Sequence, residues 1–358
     1  MYLKQFLSIL IVLFLILVFS CGSVKQAKDN DIQDLPALIY YKRALNFVES
    51  LQYEKALSQI DTAIILQPGY AQFYYARGQI FELMKKNKSA IKSYESALII
   101  KSFFPEAWRS LSYLYMNEKQ YNQAVQVLTS LVESIPDSLN YEIMLAEAYL
   151  FDNRPVLALE RIKFYEKKGG TSAETYRVKG IAYYLLKNFS EAIQNLQLYI
   201  QDNPRSFSAA KYLGFTYIEI DELEKGISYL NQALNLKPDD PTIYAYRAKY
   251  FIKLGKYDTA LDQFNLALDF DNQNVSILIE FAKFQLSQAD TSAAEKLLNR
   301  AIISNSNCWE CFKYLGIIAD EQGRDYDALM YMQKYLTNIH HRDPDVEQRL
   351  IKLRKIAN

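Results

Sequence analysis

Histidine is almost missing from this 358-residue chain: His340 and His341 are the only two, and they are adjacent. A serine or cysteine nucleophile that needs a histidine base could be assembled nowhere else. Glycine is scarce, at 11 residues, and Leu254-Gly255-Lys256 lacks the upstream glycine of a nucleotide-binding P-loop. Net charge is also lacking, with 41 basic residues against 41 acidic ones, so the basic footprint of a nucleic-acid binder is not there. Pairs of carboxylates do occur on helical stretches, where a solvated face is the ordinary reading. Together these absences argue against an enzyme, a bound cofactor, a metal site and nucleic acid. What is plentiful is apolar and aromatic: half the residues are hydrophobic, with 29 Tyr and 19 Phe. Such a chain has enough apolar material for an ordered core, and flat rings suit the space between stacked helices.

The first residues differ from the rest. Lys4 is followed by an apolar stretch from Phe6 to Phe19, interrupted in polarity only by Ser8. That is short for a bilayer-spanning helix, which needs about 20 residues, and suits the apolar region of a secretory signal. It closes in Val18-Phe19-Ser20-Cys21-Gly22. An aliphatic residue three before a cysteine and a small one immediately before it resemble the lipobox of bacterial lipoproteins. That resemblance implies signal-peptide residues 1–20, an acyl chain such as palmitate on Cys21, and membrane attachment through this N-terminal lipid. Residues 21–36 are polar, without apolar periodicity, and read as a tether. No acidic cluster follows Cys21 directly, which points to an outer-membrane protein facing the periplasm.

From Ala37 the chain divides by steps of 34 residues into nine units without insertion, at 37–70, 71–104, 105–138, 139–172, 173–206, 207–240, 241–274, 275–308 and 309–342. The eighth place of each is small: Ala44, Gly78, Ser112, Ala146, Gly180, Gly214, Ala248, Ala282 and Gly316. The twentieth is alanine throughout except for Gly226, and the twenty-fourth is always large and apolar, from Ile60 to Met332. Small residues facing large ones let two helices approach closely, so each unit reads as a helical hairpin. Pro68, Pro136, Pro204 and Pro238 stand where second helices stop, while Pro105, Pro241 and Pro155 open helices.

The unit length, the fourth-place aromatics Tyr40, Tyr74, Trp108, Tyr176 and Tyr244, the alanines and the terminal proline resemble the tetratricopeptide repeat. Unit four departs, with Glu142 at its fourth place, and the last two units lack several aromatics. The resemblance implies an all-α, right-handed superhelical solenoid closed by a capping helix over 343–358, with Val346, Leu350, Leu353 and Ile356 on one face. It also implies that first helices line a concave groove through their second, fifth, ninth, twelfth and thirteenth places. Carried over, these are Tyr41, Leu45, Tyr75, Gln79, Arg109, Tyr113 and Met116, then Arg177, Tyr184, Lys211 and Phe215, then Lys249, Lys253, Ile279 and Lys283. Rings interleaved with cations suit a protein or peptide partner in the groove of units three to seven, and a basic strip would make binding salt-sensitive. The family's clamp for chaperone C-termini is missing, since Lys313 is followed by Ile317 rather than asparagine at the ninth place.

Cys308-Trp309-Glu310-Cys311 leaves three readings open: a redox pair at a helix start, a structural disulfide, or two packed thiols. The functional expectation is a non-catalytic scaffold lipoprotein of the envelope, serving an assembly or secretion machine. A glycan-capture lipoprotein beside an outer-membrane transporter is the alternative, although such proteins carry long insertions that this array lacks. Changing Cys21 to Ala should leave an unprocessed precursor. Metabolic labelling with a fatty acid checks this, and a label that persists without Cys21 contradicts the lipobox reading.

Overall fold

The computed structural model describes residues 36–136, 138–339 and 342–357. The proposed signal, Cys21 and most of the tether lie outside the described residues, as do His340, His341 and the side chain of Ile356. Among the described residues there are nineteen helices and no strand. Two compact units share them, the first ending at Gly170 and the second beginning at Thr171. The first holds α1 (Pro36–Glu49), α2 (Tyr53–Leu66), α3 (Ala71–Leu83), α4 (Asn87–Ile100), α5 (Pro105–Asn117), α6 (Tyr121–Ser134), α7 (Asn140–Phe151) and α8 (Pro155–Lys167). The second begins with α9 (Glu174–Leu185), α10 (Phe189–Asp202), α11 (Phe207–Glu219), α12 (Leu223–Leu236), α13 (Pro241–Lys253) and α14 (Tyr257–Phe270). It ends with α15 (Val275–Ser287), α16 (Thr291–Ser304), α17 (Trp309–Glu321), α18 (Asp325–Leu336) and α19 (Pro344–Ala357).

Odd and even helices pair as hairpins, and within each compact unit an even helix also packs on the next odd one. The small-residue columns explain how. A Cβ on Gly180 would lie 2.5 Å from Leu196 Cγ, and one on Gly214 would lie 2.5 Å from Leu230 Cδ2, so only glycine admits those leucines at this separation. Ala124, Ala158, Ala192, Ala260, Ala294 and Ala328 are fully buried, as are Ile162, Leu196, Leu230 and Leu298 on the even helices.

The turn inside each hairpin repeats with the same geometry. The fifteenth-place residue has positive φ in every one: Leu51, Lys85, Lys119, Asn153, Lys187, Asp221, Gly255, Ala289 and Gly323. The next residue's N–H donates to the carbonyl five residues earlier, as Gln52 does to Phe47 and Asp290 to Gln285, both within 2.9 Å. This is the left-handed close that satisfies the last carbonyls of a helix. Seven of the nine positions are not glycine, so the turn is imposed by the packing around it at a cost of about 1 kcal/mol per side chain. Helix starts are satisfied where side chains permit: Ser206 accepts from the Ala209 N–H, Asp240 from Thr242, Asn274 from Ile277 and Asp290 from Ala293.

Val346, Leu350 and Leu353 of α19 are buried against Phe312, Ala319, Met332 and Tyr335, so α19 covers the last hairpin. Asp343 fixes its start: Oδ1 accepts from the Val346 N–H, and Oδ2 accepts from Lys313 Nζ at 2.6 Å and the Tyr335 hydroxyl at 2.9 Å. These donors hold the Asp343 carboxyl below its ordinary pKa although burial works the other way. Cys308 and Cys311 are joined in a disulfide at the start of α17, and both are buried.

Glu142 is the irregular core residue, only 3% exposed where six of the other units place a ring. Burial pushes its pKa up while Arg161, with Nη1 3.8 Å from Oε2, pulls it down. The carboxylate therefore sits at an aromatic position with one loosely placed counterion.

Two substitutions of opposite sign test the packing. Ala192→Leu should cost about 1–3 kcal/mol by overpacking the α9–α10 hairpin. Ala289→Gly should gain about 1 kcal/mol by relieving a left-handed alanine. Chemical denaturation of both variants checks this; a neutral Ala192→Leu, or a destabilised Ala289→Gly, contradicts the packing described.

Candidate functional site

In the second compact unit the odd helices touch one another in sequence, α9 to α11, α11 to α13 and α13 to α15. Their shared face holds a cavity of about 420 Å³ lined by Glu219, Ala245, Tyr246, Lys249, Ile252, Phe264, Ser276, Glu280, Lys283, Phe284 and Ser287. All but Phe264 of α14 come from α11, α13 and α15. Helical spacing explains the set: Ala245, Lys249 and Ile252 lie along one face of α13, and Ser276, Lys283 and Ser287 along the matching face of α15.

The rings that line the cavity are Tyr246, Phe264 and Phe284, and Tyr246 is backed by a stack of further rings. Phe215 and Tyr246 lie face to face with centroids 3.7 Å apart, and Tyr184 and Tyr212 pack on Phe215 at 6.0 and 5.7 Å. The hydroxyls of Tyr184 and Tyr246 are hydrogen-bonded to each other, and Tyr246 also donates to Glu219 Oε1 at 3.1 Å. Burial, first of all, pushes both phenols far above their ordinary pKa, so they remain neutral hydrogen-bonding groups at physiological pH.

Cations on this face are matched by carboxylates about one repeat away. Lys249 Nζ lies 2.6 Å from Glu219 Oε1, Lys211 Nζ 3.4 Å from Asp240 Oδ2, and Lys283 Nζ 2.7 Å from Glu310 Oε1 and 2.8 Å from Glu280 Oε1. Lys253 pairs with Asp221. Lys211 is boxed by the rings of Phe207, Tyr212 and Phe215, at 5.2 to 5.9 Å. Burial lowers its pKa even though Asp240 pulls it up. Lys283 shows the reverse balance: burial works against its charge, but hydrogen bonds to Glu280 and Glu310 win and raise its pKa. The strip that reads as basic in the sequence is thus neutralised within the fold.

The structure brings together Tyr184, Lys211 and Phe215 around Tyr246, and Lys249 with Lys283 in the cavity. Phe215 is buried and packs behind Tyr246 instead of lining the cavity. Arg177 is held by Glu174 at 2.6 Å and lies over the Tyr199 ring. In the first compact unit Tyr41 packs against Phe73, and Tyr75 is buried between Tyr94 and Phe104, whereas Arg109 and Tyr113 are exposed. Tyr246, Glu219, Glu280, Ser276 and Ser287 were missed by sequence reasoning. An acid 27 to 32 residues from each groove lysine was the available signal for the carboxylates.

Sequence profiles described as tetratricopeptide repeat match residues 41–103, and residues 105–138 and 213–240. The chain contains tetratricopeptide repeats. Among named relatives, a TPR repeat-containing protein of Methanocaldococcus jannaschii is 25% identical over 207 residues, 55% of this chain and 36% of that protein. The TPR repeat-containing protein YpiA of Bacillus subtilis is 20% identical over 89% of this chain and 74% of its own length. A DnaJ protein P58IPK homolog of Arabidopsis thaliana is 23% identical over 80% of this chain and 65% of its own. The repeat protein therefore spans about a third of the archaeal relative's length. Its helices superpose on the Cut9–Hcn1 structure with a TM-score of 0.56 at 14% identity, covering 88% of this chain and 77% of that one. A human IFIT1 dimer with a capped RNA, m7Gppp-AAAA, gives 0.51 at 14% identity over 85% of this chain and 90% of that one. At such identities the likeness is one of fold.

Proposed function

We propose that this tetratricopeptide-repeat protein is a non-catalytic adaptor of the bacterial envelope, anchored by a lipid on Cys21 and facing the periplasm. In this reading residues 37–342 are nine tandem repeats closed by the helix over 343–358, and the protein serves an assembly or secretion machine. The observation that carries the binding function is the ring-walled cavity on α11, α13 and α15, whose lysines are already neutralised. A surface that is apolar in its wall and electrically balanced favours a peptide that inserts an apolar side chain and bonds to the serines and paired charges around it. Added salt then weakens binding little, because the groove presents no net charge to be screened. The same balance argues against nucleic acid, whose phosphates need unpaired cations, although the human IFIT1 structure holds a capped RNA. Glycan capture has no support from the hairpins, whose connections are a few residues long.

Partners crosslinked in intact envelopes provide the binding reagent. Ser276→Trp combined with Ser287→Trp fills the cavity without touching a buried ion pair, and should weaken partner binding by about tenfold or more, ~1.4 kcal/mol. Asn265→Arg, on the exposed face of α14, should leave binding unchanged. Equal binding by both variants removes the groove from the proposal, and steep weakening with salt removes the electrically balanced reading.

A further inference from the structure

Both ends of the first compact unit expose apolar side chains, but the two ends differ in their company. Because the hairpin helices run antiparallel, α1 and α3 start at the end where α2 and α4 finish. At that end Ile65 is 78% exposed, Ile99 84%, Phe103 53% and Ile39 55%, with Leu66 exposed beside them. Ile65 and Ile99 hold the same place in successive units. Residues 65–71 and 98–104 together contain a single charge, Lys101, and no carboxylate; the first acid beyond them is Glu106, exposed on α5. The last acids of α2 and α4 are engaged elsewhere: Asp61 with Arg77 and Glu95 with the Tyr115 hydroxyl. The opposite end also exposes Leu51 and Leu83, but among Glu49, Glu54, Lys85, Lys86 and Lys88, all exposed. Equivalent segments of units three, five, six and seven carry acids, with Glu133, Asp202, Asp239, Asp269 and Asp271; that of unit eight, in the second compact unit, exposes Ile303 alone without a charge beside it.

We propose that this apolar end of the first compact unit, formed by Ile39, Ile65, Leu66, Ile99 and Phe103, rests on the lipid bilayer to which the N-terminus is anchored. The inference builds on the proposed lipid at Cys21. Its occupant follows from where the chain enters the fold: α1 begins at Pro36 at this same end, so residues 21–35 need not cross the length of a hairpin to reach the surface. A lipid alone fixes position and leaves orientation free; a second apolar contact beside the tether fixes both. Exposed Lys101 flanks the patch, as suits anionic headgroups.

The test uses the full-length, lipid-bearing protein in vesicles of phosphatidylethanolamine and phosphatidylglycerol, with tryptophan reporters at Ile65→Trp, Ile99→Trp and, at the opposite end, Gln52→Trp. Brominated acyl chains should quench the Ile65→Trp and Ile99→Trp signals above the background of Trp108 and Trp309, and leave Gln52→Trp unquenched. Vesicle-bound protein with no quenching at Ile65→Trp and Ile99→Trp, or with equal quenching at all three, overturns the patch while the anchor stands. Failure of the protein to float with vesicles overturns the anchor and the patch together. Self-association abolished by Ile99→Asp, in place of quenching, assigns the surface to a second copy and overturns the bilayer.

Discussion

Two helices in each hairpin lie closer than ordinary side chains permit, and the rest of the molecule follows from that approach. A Cβ at Gly180 or Gly214 would strike the leucine of the facing helix, and fully buried alanines hold the reciprocal place. Close packing at one point fixes how the large residues interlock along the pair, and so which faces remain for the next hairpin. Odd helices then fall side by side in the second compact unit, which creates the cavity face. The groove is a by-product of hairpin geometry, and its chemistry is set by the few side chains that point into it.

Those side chains combine rings with charges that cancel one another. Glu219 serves both Lys249 and Tyr246, and Glu310 reaches back from α17 to Lys283 on α15. Such partly exposed pairs contribute little stability individually, typically about 0–1 kcal/mol. Their larger effect is on recognition: a balanced face does not attract partners by bulk charge, so shape and apolar contact decide what binds.

The hairpins were legible in the sequence because their determinants are local and periodic. Ala124, Ala192 and Ala260 fall in register, and Pro68, Pro204 and Pro238 mark where helices stop. The left-handed turns were not, because only Gly255 and Gly323 carry the expected residue; at Leu51 and Ala289 the backbone is held by packing and the recurring hydrogen bond. Charge pairing was hidden for a different reason. Lys211 and Lys249 look like a basic strip until consecutive repeats are laid side by side, which brings Asp240 and Glu219 to them. Burial likewise turned Tyr75 and Phe215 from expected contact residues into packing.

In the proposed role, odd helices present the binding face while even helices hold the structure. Hydrogen exchange of the protein with and without its crosslink-identified partner tests this most directly. Slowed exchange should concentrate in α11, α13 and α15, at residues 207–219, 241–253 and 275–287, and be small in α12, α14 and α16. Protection concentrated in α12, α14 and α16, with the odd helices unchanged, would contradict it.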